Sequence, residues 1–133
     1  MPSDSEAIRD VLVRYATAID DKNWALLRTC FTADASTDYG DIGKWSDADG
    51  IVAFMEAAHQ GFRATNHMLS NFVVRVDGDR ARATTYFHAV LSFAGDEAAW
   101  VDSVGRYEDT LVRAADGWQI ASRRTLMTRL LRG

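Results

Sequence analysis

The chain has 133 residues, 47% of them hydrophobic, and a formal net charge of −4, a size that fits one globular domain over residues 1–133 with a core and room for one pocket. Its lysines and arginines are scattered singly, with no basic stripe for a phosphate backbone and no polybasic segment, so neither nucleic acid nor a membrane surface is an expected partner. The opening Met1-Pro2-Ser3-Asp4-Ser5-Glu6 is acidic where a secretory signal needs positive charge and then an apolar run, and no stretch approaches transmembrane length, so a cytoplasmic location is expected.

Ser3 with Glu6 three residues on forms a capping box, and Ile8, Val11, Leu12, Tyr15, Ala18 and Ile19 follow at helical spacing, predicting a first helix that runs to about Asp20. A carboxylate in the last turn faces the negative end of the helix dipole, a place stability alone does not favour, and local costs of this kind often mark function. Asp21 lies further from the apolar stripe, so Asp20 is the residue expected to point inward. Asn23 is a plausible N-cap for a short second helix with Trp24, Leu27, Cys30 and Phe31 on its apolar side. Cys30, the lone cysteine, is expected as a small buried hydrophobe.

From Asp34 to Gly50 the sequence turns to Asp, Gly, Ser and Thr with isolated Tyr39, Ile42 and Trp45, which predicts a long loop or lid with room for a short strand. Asp49 and Gly50 then open a third helix carrying Ile51, Val52, Phe54, Met55 and Ala58 and fading by Gln60-Gly61. The Asp47 to Asp49 cluster is better suited to capping that helix than to binding a cation, and His59 is expected to be solvated.

After His67 the pattern changes to period two and to β-branched and aromatic residues, predicting strands near 69–76, 82–93, 99–113 and 117–130. Asp77-Gly78-Asp79, Gly95-Asp96-Glu97 and Asp116-Gly117 are the turn signals between them, giving an antiparallel meander. Helices first and long strands later imply an α+β layer fold, with helices packed on one face of a curved antiparallel sheet. On the second long strand Phe87, Ala89, Leu91 and Phe93 share a dry face, while Thr84, Tyr86, His88, Val90 and Ser92 share a mixed one, and the mixed face is expected to line the pocket. On the last strand neither face is cleanly polar, so periodicity leaves open which of Arg123, Arg124 and Arg129 points inward.

The Tyr15-Ala16-Thr17-Ala18-Ile19-Asp20-Asp21-Lys22-Asn23-Trp24 helix end, the Phe31-Thr32-Ala33-Asp34-Ala35 that follows, Asn66-His67 and the Asp116-Gly117-Trp118-Gln119-Ile120 opening of the last strand together resemble the SnoaL-like branch of the nuclear transport factor 2-like cone fold. The resemblance spans nearly the whole chain and is closest to scytalone dehydratase, hexachlorocyclohexane dehydrochlorinase and the bile acid dehydratases. It implies a curved antiparallel sheet forming a cone with three N-terminal helices around an internal pocket, and an Asp-His dyad formed by Asp20 and His67. It also implies Tyr15, His88 and Arg123 as substrate-binding residues, His88 on a looser match in spacing, and Tyr107 is expected as an aromatic with a hydroxyl outlet to the pocket. On the residues alone, Asp20 reads as a solvated helix-end residue and His67 as a satisfied histidine; the resemblance makes the dyad the better reading.

A carboxylate bonded to one imidazole nitrogen fixes the tautomer, so that the other nitrogen can take up a proton, and no cofactor is required. No metal-ligand spacing, glycine-rich phosphate loop or nucleophile elbow is present, and neither a cofactor nor a metal is expected. The expected activity is a dehydratase-like lyase or isomerase acting on a small hydrophobic, cyclic substrate. A polyketide cyclase would use the same pair, and a non-catalytic binding or assembly protein of this fold would fill its pocket with Trp24, Phe54, Met55 and Tyr107 and hold the dyad apart. Homodimerisation is expected through the outer sheet face, since apolar residues on both sides of a curved sheet need cover.

Overall fold

A computed structural model describes residues 1–96 and 98–133; Glu97, in the connector predicted at Gly95-Asp96-Glu97, lies outside the described residues. Helix α1 spans Asp4–Asp20, with Ser3 and Glu6 closing both hydrogen bonds of the capping box and the predicted apolar stripe buried. It stops sharply. Lys22 turns into the left-handed region (φ 52°), and the Asn23 N–H reaches back to the Ala18 carbonyl at 2.8 Å while the Lys22 N–H bonds Ile19, a Schellman ending that leaves Asp20 as the last helical residue. Helix α2 (Trp24–Thr29) is capped by the Asn23 side chain.

The segment predicted as a loop or lid is largely ordered into secondary structure. Strand β1 takes Phe31–Asp38, a 3-10 turn takes Gly40–Ile42 and strand β2 takes Lys44–Trp45. Asp and Ala, which recur along β1, are weak strand formers. Pairing with the last strand supplies the hydrogen bonds their propensities do not, and Trp45 is held against Phe54 (4.4 Å) and Tyr39 (6.1 Å). Helix α3 (Ala48–Ala58) begins slightly earlier than the Asp49-Gly50 reading, with Asp47 as its N-cap accepting from the Gly50 N–H at 2.7 Å.

Four long strands follow: β3 (Phe62–Asp77), β4 (Arg80–Phe93), β5 (Trp100–Ala114) and β6 (Gly117–Arg132). They form the predicted antiparallel meander, and β1 joins β6 in parallel, giving a six-stranded curved, unclosed sheet in the order β2-β1-β6-β5-β4-β3. The first strand of the meander starts well before residue 69, so His67 lies inside β3 rather than ahead of the sheet. No helix among the described residues is long and apolar enough to cross a membrane.

Bulges decide which side chains face the helices. On β6 the register steps from Ile120 opposite Leu111 to Ser122 opposite Thr110, which leaves Ala121 as the extra residue. A single extra residue flips the alternation, so Trp118 and Ile120 are buried before it and Arg123 and Thr125 after it. A second step leaves Thr128 extra. On β3, Asn71 adopts φ 54° where the register slips between Ser70 and Val73, and the inward set changes from Thr65, His67 and Leu69 to Phe72 and Val74.

Gly105 sits at the β5 irregularity, where a Cβ would run into the Leu126 carbonyl and the Phe87 ring. Because the obstructing carbonyl is backbone and Phe87 is already stacked on Tyr107 at 4.6 Å, Gly105→Ala should destabilise the protein by about 1–3 kcal/mol, the range for overpacking a dense core. Urea denaturation at neutral pH measures this directly.

Candidate active site

The helices close over the concave side of the sheet and leave a cavity of about 310 Å³. Phe54, Met55, Phe62, Leu91, Phe93 and Met127 give it an apolar wall, and His67, Tyr15, Tyr39, Ser103 and Thr125 are among its polar lining. It lies on the Phe87, Ala89, Leu91 and Phe93 face of β4, so the expectation that the mixed face would line the pocket is corrected. The dry face bounds the cavity because ligand pockets are mostly apolar with a few polar groups, and those groups come from neighbouring elements.

Asp20 and His67 meet. The His67 Nδ1 is 2.7 Å from Asp20 Oδ1, the His67 backbone N–H donates to Oδ2 at 2.8 Å, and the Thr65 hydroxyl donates to Oδ1 at 2.9 Å. The Schellman stop of α1 aims the carboxylate at the start of β3, and residues 65 and 67 share a strand face, so one carboxylate gathers all three donors. Burial on its own would raise the Asp20 carboxyl, but the bonds from the His67 side chain, the His67 backbone and Thr65 outweigh it and hold the carboxyl below its ordinary value. Asp20 is thus ionised and accepts from Nδ1–H, which leaves Nε2 of His67 as the acceptor. The His67 side chain is 10% exposed, and the residue lines the cavity.

In the lining of the same cavity, the Tyr15 and Tyr39 hydroxyls are hydrogen-bonded to each other. Burial pushes the pKa values of Tyr15, Tyr39 and Tyr107 well up, so all three are neutral hydroxyls, able to donate rather than to act as bases. Tyr107 lines the cavity, stacked on Phe87. Burial also pushes the Cys30 thiol up to about 11, in keeping with a small buried hydrophobe.

Two expected substrate-binding residues lie elsewhere. His88 is on the outer sheet face, its side chain 45% exposed and its Nε2 3.1 Å from Asp102. The strand's strict alternation sends it away from the cavity residues Phe87 and Ala89 on either side. Arg123 does point inward, settling the choice among the last-strand arginines. It is, however, fully buried in a two-pronged pair with Asp109 (2.8 and 2.9 Å), and its guanidinium lies 4.1 Å from the Tyr15 ring centre and 3.8 Å from that of Tyr107. It backs the tyrosines and is not among the cavity-lining residues. Burial opposes its charge, but Asp109 holds its pKa well above the ordinary value.

Sequence reasoning missed Tyr39, Thr65, Asp109 and His59. The Thr65-x-His67 spacing was a readable signal for Thr65; Tyr39 stood in the segment taken for a loop, with nothing local to mark it. His59, expected to be solvated, is buried at the end of α3, donating from Nδ1 to the Met55 carbonyl at 2.8 Å and packed against Trp24 and Phe62. Burial lowers its pKa. The unfolded chain therefore takes up this proton before the native protein does, so His59 adds a loss of stability as pH falls below about 6.5. His59→Gln should flatten that part of the stability curve, read as urea midpoints between pH 7 and 5.

Non-catalytic assembly proteins were expected to hold the dyad apart and fill the pocket, whereas here the dyad is joined and the cavity is open. Among the described residues no group of three or more metal-ligating side chains is assembled. The description of a SnoaL-like domain matches residues 2–124. An uncharacterized protein of Mycobacterium tuberculosis is 37% identical over 125 residues, covering 91% of this chain and 83% of the relative. Among solved structures, a scytalone dehydratase-like protein of Novosphingobium aromaticivorans superposes with a TM-score of 0.87 at 21% identity, over 95% of this chain and 85% of that one. A hexachlorocyclohexane dehydrochlorinase of Novosphingobium barchaimii does so at 0.84 and 14% identity, over 96% and 88%. At these identities the two structures share the fold.

Proposed function

This chain belongs to the SnoaL-like domain family, and we propose that it is a cofactor-independent lyase or isomerase that removes a proton from a small hydrophobic, cyclic substrate. One observation carries this reading: an imidazole fixed at Nδ1 by a charged carboxylate lies in the wall of a largely apolar cavity. His67 Nε2 takes a proton from carbon next to a carbonyl, the C–H electrons form the new double bond, and the leaving group departs with its bonding pair. Asp20 stabilises the imidazolium. Tyr15 or Tyr39 donates a hydrogen bond to the developing enolate oxygen, and for a hydroxyl leaving group the imidazolium returns its proton, giving water. The cavity volume of about 310 Å³ is at the small end for a pocket enclosing one ligand. The dehydratase-like and dehydrochlorinase structures of the same fold agree with elimination chemistry.

The test is a panel of fused-ring β-hydroxy ketones assayed without cofactor for the ultraviolet absorbance of the conjugated product. Turnover by the native chain that disappears in His67→Gln is the expected result; a substrate turned over equally by both proteins rejects the mechanism.

The protein is further proposed to work in the cytoplasm, as one domain and as a homodimer. Met68, Tyr86 and Leu131 are exposed on the outer face of the sheet, and a partner copy would cover them. Sedimentation at micromolar concentration should report a dimer that Tyr86→Glu weakens; a monomeric native profile counts against it.

A further inference from the structure

Along the floor of the dyad cavity, His67 on β3 pairs with Ala89 on β4, and Ala89 pairs with Ser103 on β5. All three line the cavity. They form one row across the sheet, with His67 and Ser103 two strand spacings apart, roughly 10 Å between backbones. Ala89 offers only a methyl group, so the floor between the two polar residues is low.

Ser103 is 6% exposed. Its inward neighbours are apolar: Val101 and Gly105 along the strand, Ala89 and Leu130 across it. Among the described residues nothing hydrogen-bonds its hydroxyl, yet that hydroxyl is not one of the sealed, unpaired polar atoms, as those of Thr85 and Thr125 are. It therefore opens on the cavity, where its partner has to come from a bound molecule or water. A few placed polar groups in an apolar wall are what fix the orientation of a ligand. At the other end of the row His67 Nδ1 is tied to Asp20, which turns the remaining ring nitrogen to the substrate.

We propose that Ser103 is a specificity-determining residue of this cavity, and that the substrate is a cyclic ketone with a hydroxyl group remote from the carbon that loses its proton. Ser103 bonds that hydroxyl, as donor or acceptor, while the ligand lies across Ala89 with its acidic carbon at His67. This rests on the proton-abstraction reading of the same cavity, and it is tested by binding alone.

The probes are 1-indanone and its 4-, 5- and 6-hydroxy derivatives, which lack a leaving group and so bind without elimination. Titrations followed in ¹H–¹⁵N correlation spectra at the Ala89 and Ser103 amides should show one hydroxy isomer binding the native chain about fivefold more tightly than 1-indanone, the gain expected of one hydrogen bond. Ser103→Ala should bring that ratio to about one while 1-indanone binds as before, and it should melt no lower than the native chain, since the hydroxyl it removes has no protein partner. His67→Gln should keep the ratio even as it abolishes turnover, so a failure of the catalytic reading and a failure of the subsite give different results. No preference for any hydroxy isomer in the native chain, or a preference that survives Ser103→Ala, would overturn the proposal. So would a ratio lost in His67→Gln, which would place the hydroxyl at the dyad.

Discussion

Asp20→Asn is expected to lower kcat by roughly a hundred- to ten-thousandfold while leaving KM and the fold nearly unchanged. The asparagine keeps an oxygen at the Oδ2 position to accept from the His67 backbone N–H, and the Thr65 hydroxyl, which donates to Oδ1 in the native site, can turn to accept from the new amide N–H, so the local architecture survives. Two things are lost. The amide presents an N–H where Asp20 Oδ1 faces His67 Nδ1, which favours the tautomer with its proton on Nε2 and blocks the atom that must act as base. The imidazolium formed on proton transfer also loses its counter-charge. Steady-state kinetics on the substrate found for the native chain, with a melting curve to verify folding, measures the effect. A KM increase with kcat intact would mean that Asp20 only shapes the cavity. The depressed Asp20 carboxyl carries a pH signature as well. Its contribution to stability is present above the ordinary carboxylate value and is lost as pH falls through the lower native-state value, so the native chain's stability margin over Asp20→Asn should shrink in acid.

The largest stability effect is expected at the buried pair beneath the tyrosines. Asp109→Ala strands the Arg123 guanidinium, whose side chain is 0% exposed and whose Nη1 already lacks a partner, and should destabilise the protein by about 3–5 kcal/mol. Replacing both residues, Asp109→Leu with Arg123→Met, should recover much of that loss, since a buried ion pair is often no more stabilising than apolar side chains of similar volume. Urea denaturation of Asp109→Leu, Arg123→Met and the double variant gives the coupling energy directly. Additive single effects would show that the pair is not energetically linked. The double variant also separates stability from catalysis: if it folds and still turns over substrate, Arg123 serves to support Tyr15 and Tyr107 rather than to bind ligand.

Much of this architecture was readable from local signals. The capping box at Ser3 and Glu6, the apolar stripe ending at Asp20, the Asn23 cap and the Gly78 and Gly117 turns act within a few residues, and each formed as expected. The Asp20–His67 pairing was reached only with the help of the family resemblance, because nothing in either local segment specifies a partner some 47 positions away.

Other features were decided by tertiary structure. Segment 31–38 has a loop-like composition and became a strand only because β6 offered a parallel edge. His59 reads as a solvated helix-end residue until Trp24 and Phe62 close over it. Side-chain alternation predicts which residues share a face but not which face is covered; the packing of the helices placed the cavity against Phe87 and left His88 outside. Arg123 faces inward because Ala121 is an extra residue in the register between β5 and β6. The amino-acid sequence by itself determined the three helices, the turns between the long strands at Gly78 and Gly117 and the chemical types available to a site, since those follow from short-range hydrogen bonding and periodicity. Strand register and helix packing, set by long-range pairing, decided which of those side chains meet.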